Sequence, residues 1–346
     1  MSTIRLLPEG KDVPCDHNET VLHALERAGL PLPNDCRAGH CGTCKARITG
    51  GDVDRGLYMP VALSEEEVAK GYLLACIATP NSDVIELHYG EAAQAANLPV
   101  QLFPPRHGVK FKVVDKLERT SDIVEVRLRP TSDRLRYWPG QYVEVGPPGS
   151  DGGRPYSIAN APRGDGELSL YIARAPGGRV STWLHDEVAI GQNLSVSGPY
   201  GTFTGDPKIT GPVLCIAAGS ALAPILALAD AALRRGFRDP VTLLFSARRP
   251  EDLYATGLVS YWQYRYSNFR FIRTITRPDG SDAPPTGRVP EILGRVVGHL
   301  YHSHVFIAGN ADFVAACREA ALDQGALEAN IHVERFFPAG EPGRSE

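Results

Sequence analysis

Four cysteines near the N-terminus constrain this chain more than any other feature. Three lie close together as Cys36-x4-Cys41-x2-Cys44, and Cys76 follows after 31 further residues. Seven cysteines in 346 residues are too few for a disulfide scaffold, and the number is odd. No secretory signal is visible, so we expect a cytoplasmic protein, in which such a group of cysteines indicates a metal or redox site.

The spacing of the four cysteines is that of a [2Fe–2S] cluster held by thiolates. Gly39 and Gly42 would let the ligand loop turn close to the sulfides. Structural zinc usually takes two C-x2-C pairs and only one is present, while a Rieske centre needs two histidines. We therefore predict Cys36, Cys41, Cys44 and Cys76 as metal ligands, and Cys15, Cys215 and Cys317 as buried packing residues.

Short β-like runs and one helical pattern surround these ligands. The runs are Thr3–Leu7, Lys11–Cys15, Lys45–Ile48 and Val84–Leu87, and the helical pattern begins at Val21. Together with the cysteines, they make residues 1–90 resemble a plant-type [2Fe–2S] ferredoxin. The resemblance implies a β-grasp-like α+β fold for this part of the chain.

The next segment, 91–107, has no amphipathic period and ends close to Pro104-Pro105, so we interpret it as a linker. Residues 108–207 then alternate short β-like runs with turn residues, which predicts a small antiparallel all-β barrel.

Two motifs stand in the barrel segment. In Arg154-Pro155-Tyr156-Ser157, the arginine offers a fork for a phosphate and the tyrosine an aromatic face. About 22 residues later, Gly177-Gly178 precedes an apolar helix, a pattern that places helix N-terminal N–H groups at an anion. Their order resembles the flavin barrel of the ferredoxin–NAD(P)+ reductase superfamily. The resemblance implies an FAD site formed by Arg154, Pro155, Tyr156, Ser157, Gly177, Gly178, Val180, Ser181 and Thr182.

From residue 208 to 346 strands and helices alternate, which predicts a doubly wound parallel α/β domain. Its first strand runs into Gly219, Ser220 and Pro224, a strand–turn–helix suited to a pyrophosphate. The superfamily pattern here is Gly-Gly-Thr-Gly-x-Ala-Pro, and Ala218 and Ala221 replace two of its glycines. This departure puts pyrophosphate affinity in question.

The later strands carry the remaining nucleotide and flavin residues that the resemblance implies. Asp252 near the ribose hydroxyls favours NADH, whereas Arg248 with Arg249 leaves NADPH open as a donor. Ala308 stands where the family usually has a cysteine near the nicotinamide. The resemblance implies nucleotide contacts from Gly309 and Asn310, an acidic residue at Glu334 and a flavin-covering ring at Phe336, with Phe337 as core.

The whole order, α+β, all-β and α/β in series, resembles the reductase component of multicomponent bacterial oxygenases. This implies an NADH-dependent oxidoreductase in which Tyr156, Ser157, Glu334 and Phe336 serve hydride transfer to FAD. The cluster would pass single electrons to a terminal oxygenase component or an intermediate ferredoxin, in the setting of aromatic hydrocarbon catabolism.

Two alternatives stay open: a reductase of a deoxysugar dehydratase, and a non-catalytic iron–sulfur carrier with a decayed nicotinamide site. Net charge is −4, which speaks against nucleic acid as a partner. Residues 1–100 hold 14 acidic and 8 basic residues, so an acidic ferredoxin face would steer a basic partner. We expect no membrane span and a monomer.

Overall fold

The structure is a computed structural model that describes residues 1–30, 32–88, 102–148, 153–278, 280 and 285–337. Most of the predicted linker, residues 91–101, lies outside the described residues. The chain divides into two compact units. The first contains Met1–Arg106 and Gly198–Thr202, and the second contains His107–Ser197 and Phe203–Phe337.

The first unit is built on a mixed five-stranded sheet in the order β2-β1-β7-β3-β5. Strand β1 pairs antiparallel with β2 and parallel with β7, which is the β-grasp arrangement predicted from the sequence. The elements are β1 (Ser2–Leu7), β2 (Lys11–Cys15), α1 (Val21–Arg27), β3 (Lys45–Gly50), β4 (Val53–Asp54), α2 (Glu65–Ala69), β5 (Tyr72–Leu74), β6 (Thr79–Pro80) and β7 (Val84–His88).

Helix α1 packs on one face of this sheet because its apolar residues recur at helical spacing. Val21, Leu22 and Leu25 are each at most 1% exposed, and they join Ile4 and Leu6 of β1 in one core. The Thr20 hydroxyl accepts a hydrogen bond from the His23 N–H and so begins the helix. This core supports the cysteine loop that follows α1.

The second unit begins with a six-stranded antiparallel sheet in the order β11-β10-β13-β8-β9-β12. A bridge between Ile158 and Leu170 joins its two edges, so the sheet closes into the predicted barrel. Strand β8 begins at Arg106, inside the segment interpreted as linker. The elements are β8 (Arg106–Glu118), β9 (Ile123–Pro130), β10 (Tyr142–Gly146), β11 (Arg154–Ser157), β12 (Leu168–Ala173), α3 (Arg179–Asp186) and β13 (Asn193–Tyr200).

The rest of the second unit is a parallel sheet in the order β16-β15-β14-β17-β18, confirming the doubly wound prediction. The strand order reverses between β14 and β17, so a nucleotide site is expected at their carboxyl ends. The elements are β14 (Val213–Ala218), α4 (Leu222–Arg234), β15 (Val241–Ala247), α5 (Thr256–Arg265), β16 (Phe269–Ile275), α6 (Val289–Val297), β17 (His304–Asn310), α7 (Ala311–Asp323) and β18 (Ile331–Phe336).

The barrel and the parallel sheet share one apolar core. Tyr171 and Ala159 point from the barrel into the cluster that contains Leu222 and Leu226 of α4. Successive side chains of β12 point alternately into the barrel and out towards the parallel sheet, because a strand has a period of two residues. This shared core fixes the barrel motif residues relative to the carboxyl edge of the parallel sheet. None of the helices in the described ranges is long and apolar enough to cross a membrane.

Candidate functional site

The four predicted ligands come together on the first unit. Cys36, Cys44 and Cys76 are 6%, 2% and 8% exposed, and Cys41 is half-buried. Their thiols interact as two pairs, Cys36 with Cys41 and Cys44 with Cys76. Two pairs of thiols supply the two sulfurs that each iron of a [2Fe–2S] cluster takes from the protein.

Hydrogen bonds prepare two of these thiols for ionisation. The Cys41 thiol, followed by the backbone N–H groups of Ala38 and His40, lowers the pKa of Cys36 to about 7. The Cys44 thiol and the Gly39 N–H lower the pKa of Cys76. The same two hydrogen bonds raise the pKa of the partner thiols, Cys41 and Cys44, so each pair holds one thiol that ionises more readily than the other.

The two glycines of the ligand loop are required by its geometry. Gly39 and Gly42 have φ of +76° and +79°, a conformation that other residues rarely adopt. A Cβ on Gly39 would lie 2.9 Å from Ile77 and 3.0 Å from the Leu57 carbonyl oxygen. A Cβ on Gly42 would lie 3.0 Å from the Ala62 carbonyl oxygen.

Polar residues beside Cys36 anchor the same loop, and the sequence reasoning missed them. The Asp35 carboxylate accepts hydrogen bonds from the Thr43 hydroxyl at 2.7 Å and from the backbone N–H and hydroxyl of Thr202 at 2.7 and 2.6 Å. Arg37 forms a two-pronged ion pair with the buried Glu26. No sequence pattern could have indicated the bond between Asp35 and Thr202, which are 167 residues apart.

The predicted flavin residues form the edge strand β11 of the barrel. Ser157 is 7% exposed and pairs with Tyr142 of β10, while Arg154, Pro155 and Tyr156 are half-buried. Burial raises the pKa of the Tyr156 phenol, which therefore stays neutral. The strand presents a guanidinium, an aromatic ring and a hydroxyl within four consecutive residues.

The Gly177-Gly178 turn opens directly into α3. Gly178 is the residue before the helix, and no side chain caps its N-terminus. A Cβ on Gly178 would lie 2.7 Å from the Ser181 hydroxyl and 2.8 Å from Ala175. The Ser181 hydroxyl itself donates to the Gly178 carbonyl and accepts from the Ala175 N–H, both at 3.1 Å. The turn therefore offers an anion the backbone N–H groups of Val180 and Ser181, with the half-buried Thr182 following.

The nucleotide turn shows why two glycines of the superfamily pattern can be alanine. Ala218 has extended backbone with φ −137°, and Ala221 is right-handed with φ −69°. Ala221 is 2% exposed and packs in the shared core. Only Gly219 needs the left-handed region, with φ +56°. Ser220 is half-buried beside it, and Pro224 lies in the first turn of α4, where no N–H is needed.

Tyr254 holds this turn in place, a role that the sequence reasoning did not assign. Its hydroxyl donates to the Gly219 carbonyl at 2.8 Å. Its ring is 3% exposed and packs edge-on against Tyr171 of the barrel at 5.0 Å and Phe245 at 5.5 Å. The only sequence signal was its position at the end of Asp252-Leu253-Tyr254.

The other predicted nucleotide residues lie along the carboxyl edge of the sheet. Asp252 Oδ2 accepts from the Arg249 N–H at 3.1 Å and so closes the turn after β15, next to the exposed Arg248. Gly309 is buried against the Phe313 ring, and Asn310 accepts from the Phe313 N–H at 2.8 Å to begin α7. Asn310 is thus also a helix cap.

The last strand brings two further predicted residues to the same edge. Glu334 is 8% exposed and stands in register with Ala308, which is itself fully buried. Phe336 packs against the shared core, and Phe337 is half-buried at the end of the strand. The flavin-covering role of Phe336 stays a prediction.

Family models match three consecutive parts of the chain. A 2Fe-2S iron-sulfur cluster binding domain covers residues 4–81, an oxidoreductase FAD-binding domain 110–204, and an oxidoreductase NAD-binding domain 215–319. The exact boundaries predicted at 90, 107 and 207 remain predictions.

Relatives match over nearly the whole length. The reductase component 1 of terephthalate 1,2-dioxygenase from Comamonas is 30% identical over 93% of this chain and 94% of its own. The reductase subunit of the Amycolatopsis aromatic O-demethylase is 34% identical over 95% and 97%. The chain belongs to the reductase components of oxygenase systems. The crystal structure of the Amycolatopsis cytochrome P450 reductase GcoB matches this reductase with a TM-score of 0.87 at 31% identity, covering 98% of this chain and 100% of that one.

The residues of the reductase fit the three groups that the family carries. Four thiols in two pairs provide the donor set of a [2Fe–2S] cluster. The start of α3 has no side-chain cap, and its backbone N–H groups suit the pyrophosphate of FAD. Gly219 offers an open turn at the carboxyl edge of the parallel sheet, where a nicotinamide nucleotide would bind.

The activity is NADH-dependent electron transfer through flavin and iron–sulfur. Bound at these sites, NADH would supply the hydride chemistry, FAD the exchange between two-electron and one-electron chemistry, and the [2Fe–2S] cluster held by the four cysteines the one-electron chemistry. The chain itself orients these groups. The shared core holds β11 and the Gly219 turn in one unit, and the Asp35 and Arg37 contacts hold the cluster loop.

Proposed function

We propose that this reductase delivers single electrons from its cluster to an oxygenase component. The observation that carries the proposal is the full-length match to reductase components, with all four cysteines and both flavin motifs in place. The relatives named above serve a dioxygenase and an aromatic O-demethylase, so the acceptor class is a terminal oxygenase or its intermediate ferredoxin. No feature of the described residues favours a deoxysugar dehydratase over these.

The first test is anaerobic titration of the purified protein with NADH and, separately, NADPH. We expect NADH to bleach both the flavin and the iron–sulfur absorbance, and NADPH to require a much higher concentration. The NADH preference is inferred from Asp252, whose carboxylate closes the turn after β15 and would meet a ribose hydroxyl. If dithionite reduced the protein but neither nucleotide did, the assignment as an enzyme would be contradicted and a non-catalytic iron–sulfur carrier would be favoured.

The second test assigns the acceptor. Mixing the reductase with purified terminal oxygenase components, with and without an intermediate ferredoxin, should couple NADH oxidation to product formation by one of them. If none of them accepts electrons while the NADH titration succeeds, the reductase activity is supported and the proposal of an oxygenase partner is contradicted.

Ser157 is proposed to bond the flavin ring and so to assist hydride transfer. Its buried hydroxyl on β11 supports this role. Ser157→Ala should slow flavin reduction in stopped-flow measurements about tenfold while FAD stays bound, because one hydrogen bond to a reacting group is lost. Ser195→Ala, on β13 of the same barrel, is the matched control. An unchanged rate in Ser157→Ala would remove the role.

A further inference from the structure

A cavity of 490 Å³ lies within the second unit, between the outer face of the barrel and the parallel-sheet part. Its walls come from β9 and β12, from the C-terminal half of α4, and from the segment Leu253–Leu258 that leads into α5. None of the residues predicted to bind FAD or the nicotinamide nucleotide lines it. Small-molecule sites measure roughly 300–1,000 Å³, so the cavity has room for a ligand outside the electron path.

Tyr171 brings a buried hydroxyl to this cavity. The residue is 8% exposed, and its hydroxyl has no hydrogen-bond partner in the described part of the chain. Its charged neighbours are Glu125, its register partner on β9, and Arg119 and Arg127, all of which line the cavity. Burial raises the pKa of the Tyr171 phenol, so the hydroxyl keeps its proton and can donate. A ligand in the cavity would supply the acceptor that this buried donor lacks.

The main acceptor on the barrel wall is already in use. The Glu125 side chain is 4% exposed and accepts hydrogen bonds from Arg119, from Arg127 and from the Ser169 hydroxyl. Arg119 reaches Glu125 through Nε and one Nη atom, so its other Nη group stays available. This wall therefore offers a ligand donors.

The opposite wall offers donors as well. Helix α5 begins after Ala255 with no side-chain cap, which leaves the N–H groups of Thr256 and Gly257 open beside the cavity. Arg234 donates to Asp230 through Nε alone and keeps its two Nη groups. Donors on both walls indicate a ligand with strong acceptor oxygens.

The acidic side chains of the lining are mostly neutralised. Glu125, Glu167 and Asp230 are in ion pairs with arginines, and Glu118 is the exposed exception. Arg163 also lines the cavity, is exposed, and has no ion-pair partner within the described ranges. The guanidinium groups that remain available suit a carboxylate.

The rest of the lining is largely apolar or aromatic. Leu253, Leu258 and Trp262 line the side formed by α5 and the segment before it, and the Tyr254 ring packs against Tyr171 at 5.0 Å. Such walls favour a flat apolar body, which aromatic side chains contact edge-on or by offset stacking.

We propose that this cavity is a binding site for a small aromatic carboxylate, whose oxygens accept hydrogen bonds from the Tyr171 hydroxyl and the neighbouring arginine N–H groups. Tyr254 stands between the cavity and the nucleotide turn, since its hydroxyl donates to the Gly219 carbonyl on the other side. The site is therefore distinct from the nucleotide site, and the inference is independent of the electron acceptor named in the proposed function.

Calorimetric titration of the complete reductase, with FAD and cluster bound, tests the site with benzoate as the probe. We expect saturable binding with a Kd of about 1 mM or lower. Benzamide has nearly the same shape without the charge and should bind about tenfold more weakly. Saturating NAD+ should leave the Kd for benzoate within about twofold.

Three outcomes of this titration would overturn the proposal. Benzoate that gives no saturable binding removes the site. Benzamide that binds as tightly as benzoate removes the carboxylate class. Displacement of benzoate by NAD+ assigns the cavity to the nucleotide site.

The Tyr171→Phe variant tests the hydroxyl alone. The Kd for benzoate should rise about tenfold, because a buried hydrogen bond to a charged group is lost. Flavin content and Tm should stay as in the wild type, since the hydroxyl has no partner in the described part of the chain. Tyr261→Phe, at a 57% exposed ring of α5 outside the lining, is the matched control and should not change the Kd.

A second variant tests the charge. Arg163→Gln should raise the Kd for benzoate about threefold at low ionic strength and lose this effect at high salt, where exposed charges are screened. Arg238→Gln, at an exposed arginine outside the lining, is its control. An unchanged Kd in both Tyr171→Phe and Arg163→Gln would place benzoate elsewhere and overturn the site, whereas the NADH titration decides the proposed function separately.

Discussion

The cluster loop and the nucleotide turn are both glycine-containing loops that hold a cofactor, but they tolerate change differently. In the cluster loop Gly39 and Gly42 both have positive φ and both press against neighbouring backbone oxygens. In the nucleotide turn only Gly219 has positive φ, and no atom lies within 4 Å of its missing Cβ. A motif glycine is therefore indispensable where backbone angle and space both demand it, and replaceable where neither does.

The largest effect is expected from removing a cluster ligand. Cys76→Ser should abolish the iron–sulfur absorbance and electron paramagnetic resonance signal, because an iron loses one of its thiolates. Flavin content and NADH-to-ferricyanide activity should remain. Cys15→Ser is the control, since Cys15 is also buried and its thiol donates to the Glu19 carbonyl oxygen. A cluster retained in Cys76→Ser would refute the ligand assignment.

A second prediction separates the two reasons for a glycine, its positive φ and the lack of space for a Cβ. Gly29 and Gly39 have nearly the same φ, +74° and +76°, but only Gly39 faces atoms within 3.0 Å of a Cβ. Gly29→Ala should cost about 1–2 kcal/mol of unfolding free energy and keep the cluster. Gly39→Ala should lose most of the cluster absorbance. Equal behaviour of the two variants would show that backbone angle alone decides.

The parallel sheet should respond to mild acid through His332. Burial, and then the neighbouring His304, lowers the pKa of His332 to about 4, although Asp206 acts in the opposite direction. The unfolded chain takes up this proton below about 6.5 and the folded chain only below about 4. Stability of the second unit is therefore fully present above pH 6.5 and falls by roughly 3 kcal/mol as the pH drops towards 4.

Thermal unfolding followed by flavin fluorescence between pH 7 and pH 5 measures this loss. His332→Gln should flatten the dependence, whereas His23→Gln, at an exposed position of the ferredoxin unit, should leave it as in the wild type. The same slope in His332→Gln and the wild type would assign the acid response to other groups.

The sequence predicted what depends on local spacing and missed what depends on distant partners. The barrel and the parallel sheet were predicted from hydrophobic period, and the grouping of the four cysteines from their spacing. Helix α2 and strand β5 were missed because they have five and three residues, too few for a period, and α2 begins through a capping box between Ser64 and Glu67.

The site shows the same limit. Residue types at Arg154, Tyr156 and Ser157 were visible as a motif before any fold was known. The support of Asp35 by Thr202 and of Gly219 by Tyr254 was not, since each joins residues that only the fold brings together.

Tyr254 offers a milder way to test the nucleotide turn. Tyr254→Phe removes only the hydrogen bond to the Gly219 carbonyl and keeps the packing on Tyr171. We expect the KM for NADH to rise about fivefold, in line with about 1 kcal/mol for one hydrogen bond, with kcat nearly unchanged. Tyr264→Phe, at a 90% exposed ring, is the control. A fall in kcat without a change in KM would place Tyr254 in the chemistry rather than in positioning.

The smallest effect should come from restoring a glycine of the superfamily pattern. Ala221→Gly should leave the KM for NADH within about twofold, because Ala221 already has a right-handed backbone and faces the core rather than the ligand. Its loss of packing and added chain entropy should lower unfolding free energy by about 0.5–1 kcal/mol. If NADH bound tenfold more tightly instead, the alanine would be limiting nucleotide affinity, and the tolerance inferred for this turn would fail. A loss of stability at unchanged affinity would show that Ala221 serves the core and not the nucleotide.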